Sequence, residues 1–201
     1  MTRENPPTAI LTPEEGQCLL RLARATIAEQ LKCPIDRDDL RSIQTALQAP
    51  VFNARCGVLV TLSLESALRG CIGSLTASAP LAENVRRNAI NAAFHDPRFP
   101  PLDLDELDRI ALEVSVLSPP AALSYEDADD LMSGLRPGLD GVILRKGASS
   151  ATFLPQVWKQ LPRCQDFLSH LCLKAGLSAR AWYDGNLQVE TYQVQSFEEE
   201  R

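Results

Sequence analysis

The run Leu68-Arg69-Gly70-Cys71-Ile72-Gly73-Ser74 constrains this chain more than any other stretch. It follows an apolar, alternating segment and places an arginine, a cysteine and two glycines within five positions. An ordinary core strand has little use for that mixture. Glycine inside a strand marks a bulge, or a place where another backbone or a ligand comes close. The run therefore points to a site without naming its chemistry.

The flanking pattern makes the run one arm of a hairpin. Residues 57–64 read Gly-Val-Leu-Val-Thr-Leu-Ser-Leu, a strand by their Val/Thr content and alternation. Glu65-Ser66-Ala67 is the turn, although it lacks the Gly or Asn such a turn favours. The second strand is expected over 68–75, with a kink or bulge near Cys71. Upstream, Thr12-Pro13-Glu14-Glu15 forms a capping box, and Leu20, Ala23, Ile27 and Leu31 follow at helical spacing, so 13–31 is an amphipathic helix. A short helix is expected around 40–47. Downstream, Pro80 opens a helix with Leu81, Val85, Ala89, Ala92 and Ala93 inward, and Pro97 ends it.

Residues 110–118 alternate as a strand, with Ile110, Leu112, Val114 and Val116 on one face. A short acidic helix is expected over 125–133, a second hairpin over 141–154 and short helices from Pro155 and Pro162, with Gly176 ending the last. A final strand spans 187–197. Helices alternate with hairpin-like strand pairs, so the fold class is α+β, with an antiparallel or mixed sheet flanked by helices.

Composition limits the function. Of 201 residues, 45% are hydrophobic and 23% charged, as in an ordinary soluble domain. The net charge of −6 gives no basic excess with which to displace counterions from a phosphate backbone, so nucleic acid is a disfavoured partner. No apolar run reaches the length of a membrane span, and the first residues lack a signal-like apolar core. Six cysteines without a C-x-x-C pair are expected to be reduced thiols, which suits a cytoplasmic protein.

Three candidate sites emerge. Cys71 becomes a nucleophile if cations, an adjacent base or backbone N–H groups support its thiolate. Arg69 would share its face on a regular strand, and Gly70 and Gly73 would expose backbone N–H groups to an oxyanion. The bland alternative is a packed cysteine whose glycines let a helix approach, and cysteine is often buried. His95 and Asp96 could serve as base and orienter for Cys71. Equally, Asp96 could cap a corner in which Arg98 pairs with a carboxylate. Glu113, out of phase with its apolar neighbours, is either a general acid or base beside Cys71 or an ion-pair partner of Arg69 or Arg98. Two isolated histidines, His95 and His170, and scattered thiols give no metal-ligand spacing. Gly70-Cys71-Ile72-Gly73 also matches the bare G-x-x-G of RNA-clamping loops, a weak signal.

The run at 68–74 resembles the signature of the AMME chromosomal region protein family, whose prokaryotic branch is called AmmeMemoRadiSam system protein A. Further segments agree in order: Ala93-Phe94-His95-Asp96-Pro97-Arg98-Phe99-Pro100, Glu113-Val114-Ser115-Val116-Leu117-Ser118, Gly138-Leu139-Asp140-Gly141-Val142-Ile143-Leu144, Phe153-Leu154-Pro155-Gln156-Val157-Trp158 and Leu171-Cys172-Leu173-Lys174-Ala175-Gly176-Leu177. The resemblance implies one two-lobed domain over 13–195, with a lead at 1–12 and an acidic tail at 196–201. The larger lobe would hold both chain ends and the smaller would come from the middle, with the signature near the cleft between them. It implies association with a Memo-like protein and a radical S-adenosylmethionine protein, hence a modification or small-molecule pathway. It assigns no cofactor and no reaction. Two functions remain open: an enzyme or enzyme component built on Arg69, Cys71, His95, Arg98 and Glu113, or a non-catalytic module whose signature shapes a docking surface.

Overall fold

The computed structural model describes residues 11–75 and 79–199; the lead before Leu11 and the last two residues of the tail lie outside them. The chain divides into two compact units, a larger one of Met1–Leu117 with Gln195–Arg201 and a smaller one of Ser118–Val194. The larger unit thus holds the first and the last of the described residues.

In the larger unit, α1 (Pro13–Gln30) starts as its sequence dictates. Thr12 accepts the Glu15 N–H at 3.2 Å, and the Glu15 carboxylate accepts the Thr12 N–H at 2.7 Å. α2 (Arg37–Ala46), capped by Asp36, buries only Ile43. β1 (Gly57–Leu64) and β2 (Ala67–Ser74) form the expected hairpin. Its turn is made by Glu65 and Ser66 at φ +52° and +67°, a left-handed pair in which neither residue is Gly or Asn. α3 (Leu81–Phe94) buries the predicted stripe and packs on β1 and β2. The Asn88 side-chain amide donates to the Val58 carbonyl at 3.0 Å, and that of Asn84 donates to the Cys56 and Ala79 carbonyls. β3 (Ile110–Leu117) pairs antiparallel with β1, so Val58, Val60, Leu62, Leu112, Val114 and Val116 meet the helices in one core.

The smaller unit has its own core. β4 (Ala121–Ala122), α4 (Ala128–Gly134), β5 (Gly141–Lys146), β6 (Ser149–Phe153), α5 (Cys164–Lys174) and β7 (Gln188–Tyr192) build it. Trp158 stacks on Phe167 at 3.7 Å and donates its indole N–H to the Asp140 carbonyl at 2.8 Å. Gly176 follows α5 at φ +74°, where only glycine sits without strain.

The final strand expected over 187–197 is two strands. β7 ends at Tyr192, and β8 (Val194–Glu198) joins the other sheet. Gln193 separates them; its N–H donates to the Ser118 hydroxyl and its carbonyl accepts the Ser118 N–H, both at 2.9 Å. Two antiparallel four-stranded sheets result, ordered β2-β1-β3-β8 and β4-β7-β5-β6, and the α+β class holds. Glu199 of the acidic tail is anchored: its carboxylate takes the Arg24 guanidinium and the Leu112 N–H.

One glycine of the signature sets the packing. A Cβ on Gly70 would lie 2.1 Å from the Ala92 carbonyl oxygen, a backbone atom of α3. Gly70→Ala must push the helix away from the strand. Overpacking of this kind costs about 2 kcal/mol, so the urea midpoint should fall clearly below that of the parent; an unchanged midpoint would contradict the packing described.

Candidate functional site

β2 is an edge strand, and its register with β1 jumps at the signature. Leu62 pairs with Gly70, but Ser63 pairs with Leu68, so Arg69 is the extra residue of a bulge. The regular alternation that would have set Arg69 beside Cys71 does not hold. Arg69 is instead buried in a two-pronged pair with Glu106, both N–O distances being 2.7 Å. Its remaining donors reach the Pro100 and Pro101 carbonyls at 3.0 and 3.4 Å. The bulge thus ties β2 to the connector that follows α3.

Cys71 is gripped from the open edge of the sheet. Its N–H donates to Asp96 Oδ2 at 2.9 Å, and its carbonyl accepts Arg98 Nη2 at 3.1 Å. Asp96 is buried and also accepts the Arg98 N–H, Nε and Nη2, at 3.1, 2.9 and 2.6 Å. This pairing follows from the sequence: Pro97 ends α3, and the short Asp-Pro-Arg corner folds Arg98 back onto Asp96. The guanidinium first, and then the Cys71 N–H, hold the Asp96 carboxyl far below the usual carboxylate range. Asp96 first, and Cys71 more weakly, raise the proton affinity of Arg98.

The thiol of Cys71 is half-buried and receives the Thr61 hydroxyl at 3.4 Å. Thr61 pairs across β1 with both Cys71 and Glu113, so the three residues form one row over three strands. At ordinary strand spacing the Cys71 and Glu113 backbones lie about 10 Å apart. Glu113 accepts the Ser115 hydroxyl at 2.8 Å, and Ser115 contacts Ser196 at 2.9 Å. The row is therefore polar, and the carboxylate is its far end.

His95 does not complete a Cys–His–Asp set. It is exposed at the end of α3, and among the described residues its ring hydrogen-bonds to neither Cys71 nor Asp96. Gly73 is a packing glycine as well, since a Cβ there would lie 2.5 Å from the Leu59 side chain and from the Val58 carbonyl. Sequence reasoning missed Thr61 and Glu106. Glu106 carried a findable signal, because Asp103 and Glu106 form a capping box. Thr61 carried none beyond its place in the alternation. Among the described residues no three His, Cys, Asp or Glu side chains gather as a metal site, and no helix is long and apolar enough to cross a membrane. A separate groove of about 1230 Å³ lies between α1, α2 and residues 107–111, where Arg21 and Arg24 are engaged by Asp39 and Glu199.

Fold and site together define a two-unit α+β protein with a clamped edge-strand cysteine. The AMMECR1 family model matches residues 20–197, and the chain belongs to that family. It is 39% identical to a protein of Methanothermobacter thermautotrophicus, over 96% of this chain and 98% of that relative. It is 38% identical to one of Methanopyrus kandleri, over 94% and 91% respectively. The crystal structure of an uncharacterized protein from Pyrococcus horikoshii aligns with a TM-score of 0.77 at 36% identity, covering 96% of this chain and 95% of that one.

Arg69 holds the Glu106 carboxyl below its ordinary value, and the Asp103 N–H assists. A carboxylate with a lowered folded-state pKa stabilises the protein above its unfolded pKa of about 4 and loses that contribution as pH falls through the folded value. Asp96 acts in the same direction. Glu106→Gln leaves a buried guanidinium without its counter-charge and should cost about 3 kcal/mol at neutral pH. The penalty should shrink as the parent is acidified below pH about 4. Urea titrations at neutral and acid pH check both statements.

Proposed function

We propose that the chain is an enzyme, or the reactive component of one, with the Cys71 thiol as its nucleophile. One observation carries this reading: the half-buried thiol accepts the Thr61 hydroxyl, and the guanidinium that Asp96 holds in place bonds the backbone carbonyl of the same residue. Reactive cysteines occupy such partly exposed surroundings near a cation. Cys18, Cys56 and Cys172 have the opposite surroundings, and burial pushes their thiols up; Cys164 shares that direction. Glu113 is the carboxylate that a bound substrate or water would connect to the thiol along the Thr61 row. His95 is an exposed base at the helix end, one residue from the clamp.

The prokaryotic branch of the family suggests the setting: a modification or small-molecule pathway shared with a Memo-like protein and a radical S-adenosylmethionine protein. The free thiols among the described residues suit a reducing, cytoplasmic compartment.

A second reading has its own support. Gly70, Gly73, Arg69 and Asp96 all serve packing, as a docking module would require. Alkylation of the native protein separates the two. At neutral pH iodoacetamide should modify Cys71 at least about tenfold faster than Cys18, Cys56 and Cys172, as read by mass spectrometry of each cysteine peptide. A Cys71 that reacts only as the chain unfolds would sink the nucleophile and favour the docking module.

A further inference from the structure

We propose that the molecule on which Cys71 acts carries an anionic oxygen group, a carboxylate or a phosphate, seated on the outer nitrogen of Arg98. This rests on the nucleophile reading above and adds the substrate class.

A guanidinium has five N–H donors. In Arg98, Nε and one N–H of Nη2 go to Asp96, and the other N–H of Nη2 goes to the Cys71 carbonyl. Among the described residues Nη1 has no hydrogen-bond partner, which leaves its two N–H groups unused by the clamp. The burial of the pair matches this division: the Asp96 side chain is 2% exposed and that of Arg98 52%. The guanidinium is therefore fixed along its inner edge and open on its outer one. The Phe99 ring, 5.5 Å from the guanidinium carbon, further limits its movement.

A surface arginine that only blocked the sheet edge would need no such anchoring. Here a buried carboxylate fixes the fork in advance, so little side-chain freedom is lost when an anion docks. Asp96 balances the positive charge, so recognition comes from a directed, charge-assisted hydrogen bond from Nη1 rather than from net attraction. Glu113 disfavours an anion in its own vicinity, which leaves the Arg98 side of the thiol as the anion's seat. Arg69 and Arg109 do not compete for this role; Arg69 is buried with Glu106, and Arg109 pairs with Glu65.

Two alkylating agents test the inference on the native protein. Iodoacetate and iodoacetamide react alike: the Cys71 Sγ–C bond forms, the C–I bond breaks, iodide leaves with the bonding electrons and the thiol proton goes to solvent. They differ in that only iodoacetate bears a carboxylate. The half-buried Cys33 in the same protein supplies the reference for their intrinsic rates. The iodoacetate-to-iodoacetamide rate ratio at Cys71 should exceed that at Cys33 by about tenfold, as expected for a charged hydrogen-bonded contact. Arg98→Gln should bring the ratio down to that of Cys33.

Should that variant fail to fold, competition on the parent protein decides. At constant ionic strength, acetate or inorganic phosphate should slow iodoacetamide at Cys71 and not at Cys33, and the more effective of the two names the anion. Equal ratios at the two cysteines, with no protection, would overturn the anion seat and leave the nucleophile standing. No reaction at Cys71 with either reagent would overturn both.

Discussion

The approach of α3 to β2 at Gly70 governs the rest of the larger unit. With the Ala92 carbonyl 2.1 Å from where a Cβ would stand, strand and helix meet backbone to backbone. That contact lies near the last turn of α3. The residues immediately after the helix therefore emerge beside the edge of β2 rather than a side-chain width away. Asp96 is then within reach of the Cys71 N–H, and Arg98, turned back by Pro97, reaches the carbonyl of the same residue. Two outward-facing backbone groups of an edge strand, which would otherwise invite another strand, are satisfied by one ion pair.

The bulge at Arg69 belongs to the same arrangement. A regular strand would continue the alternation through the signature. The extra residue re-aims one side chain, and Arg69 turns into the pair with Glu106 and the carbonyls of Pro100 and Pro101. The connector after α3 is thus held twice against β2, by Asp96 and Arg98 at Cys71 and by Glu106 at Arg69.

Much of this fold was legible because local rules and tertiary demands agree. The Thr12 capping box, the apolar stripe of α3 and the alternation of β3 each encode a single solution. The split of 187–197 was hidden because both halves carry strand-forming residues; only Gln193, pinned to Ser118, marks the change of sheet. The turn at Glu65 and Ser66 lacks the residues that usually announce positive φ. At the site, the Asp96–Arg98 corner was foreseeable from His95-Asp96-Pro97-Arg98, since aspartate before a proline turn is a ready acceptor. The proposed partnership of Asp96 with His95 was not realised, because the guanidinium and the Cys71 N–H take both carboxylate oxygens. The bulge left no mark in the sequence beyond its glycine.

The signature therefore separates into two kinds of residue. Arg69, Gly70 and Gly73 face demands that the fold itself makes: a buried counter-charge, a helix backbone and a neighbouring strand. Cys71 answers those demands with its backbone alone, through the N–H and carbonyl that Asp96 and Arg98 grip. Its side chain is not needed for any of them. Packing could be served there by alanine or serine, and the polar row of Thr61, Glu113 and Ser115 does not favour a sulfur over either. The strand, gripped at Cys71 from its open edge, fixes where that residue stands in the row, and the grip itself makes no use of the sulfur.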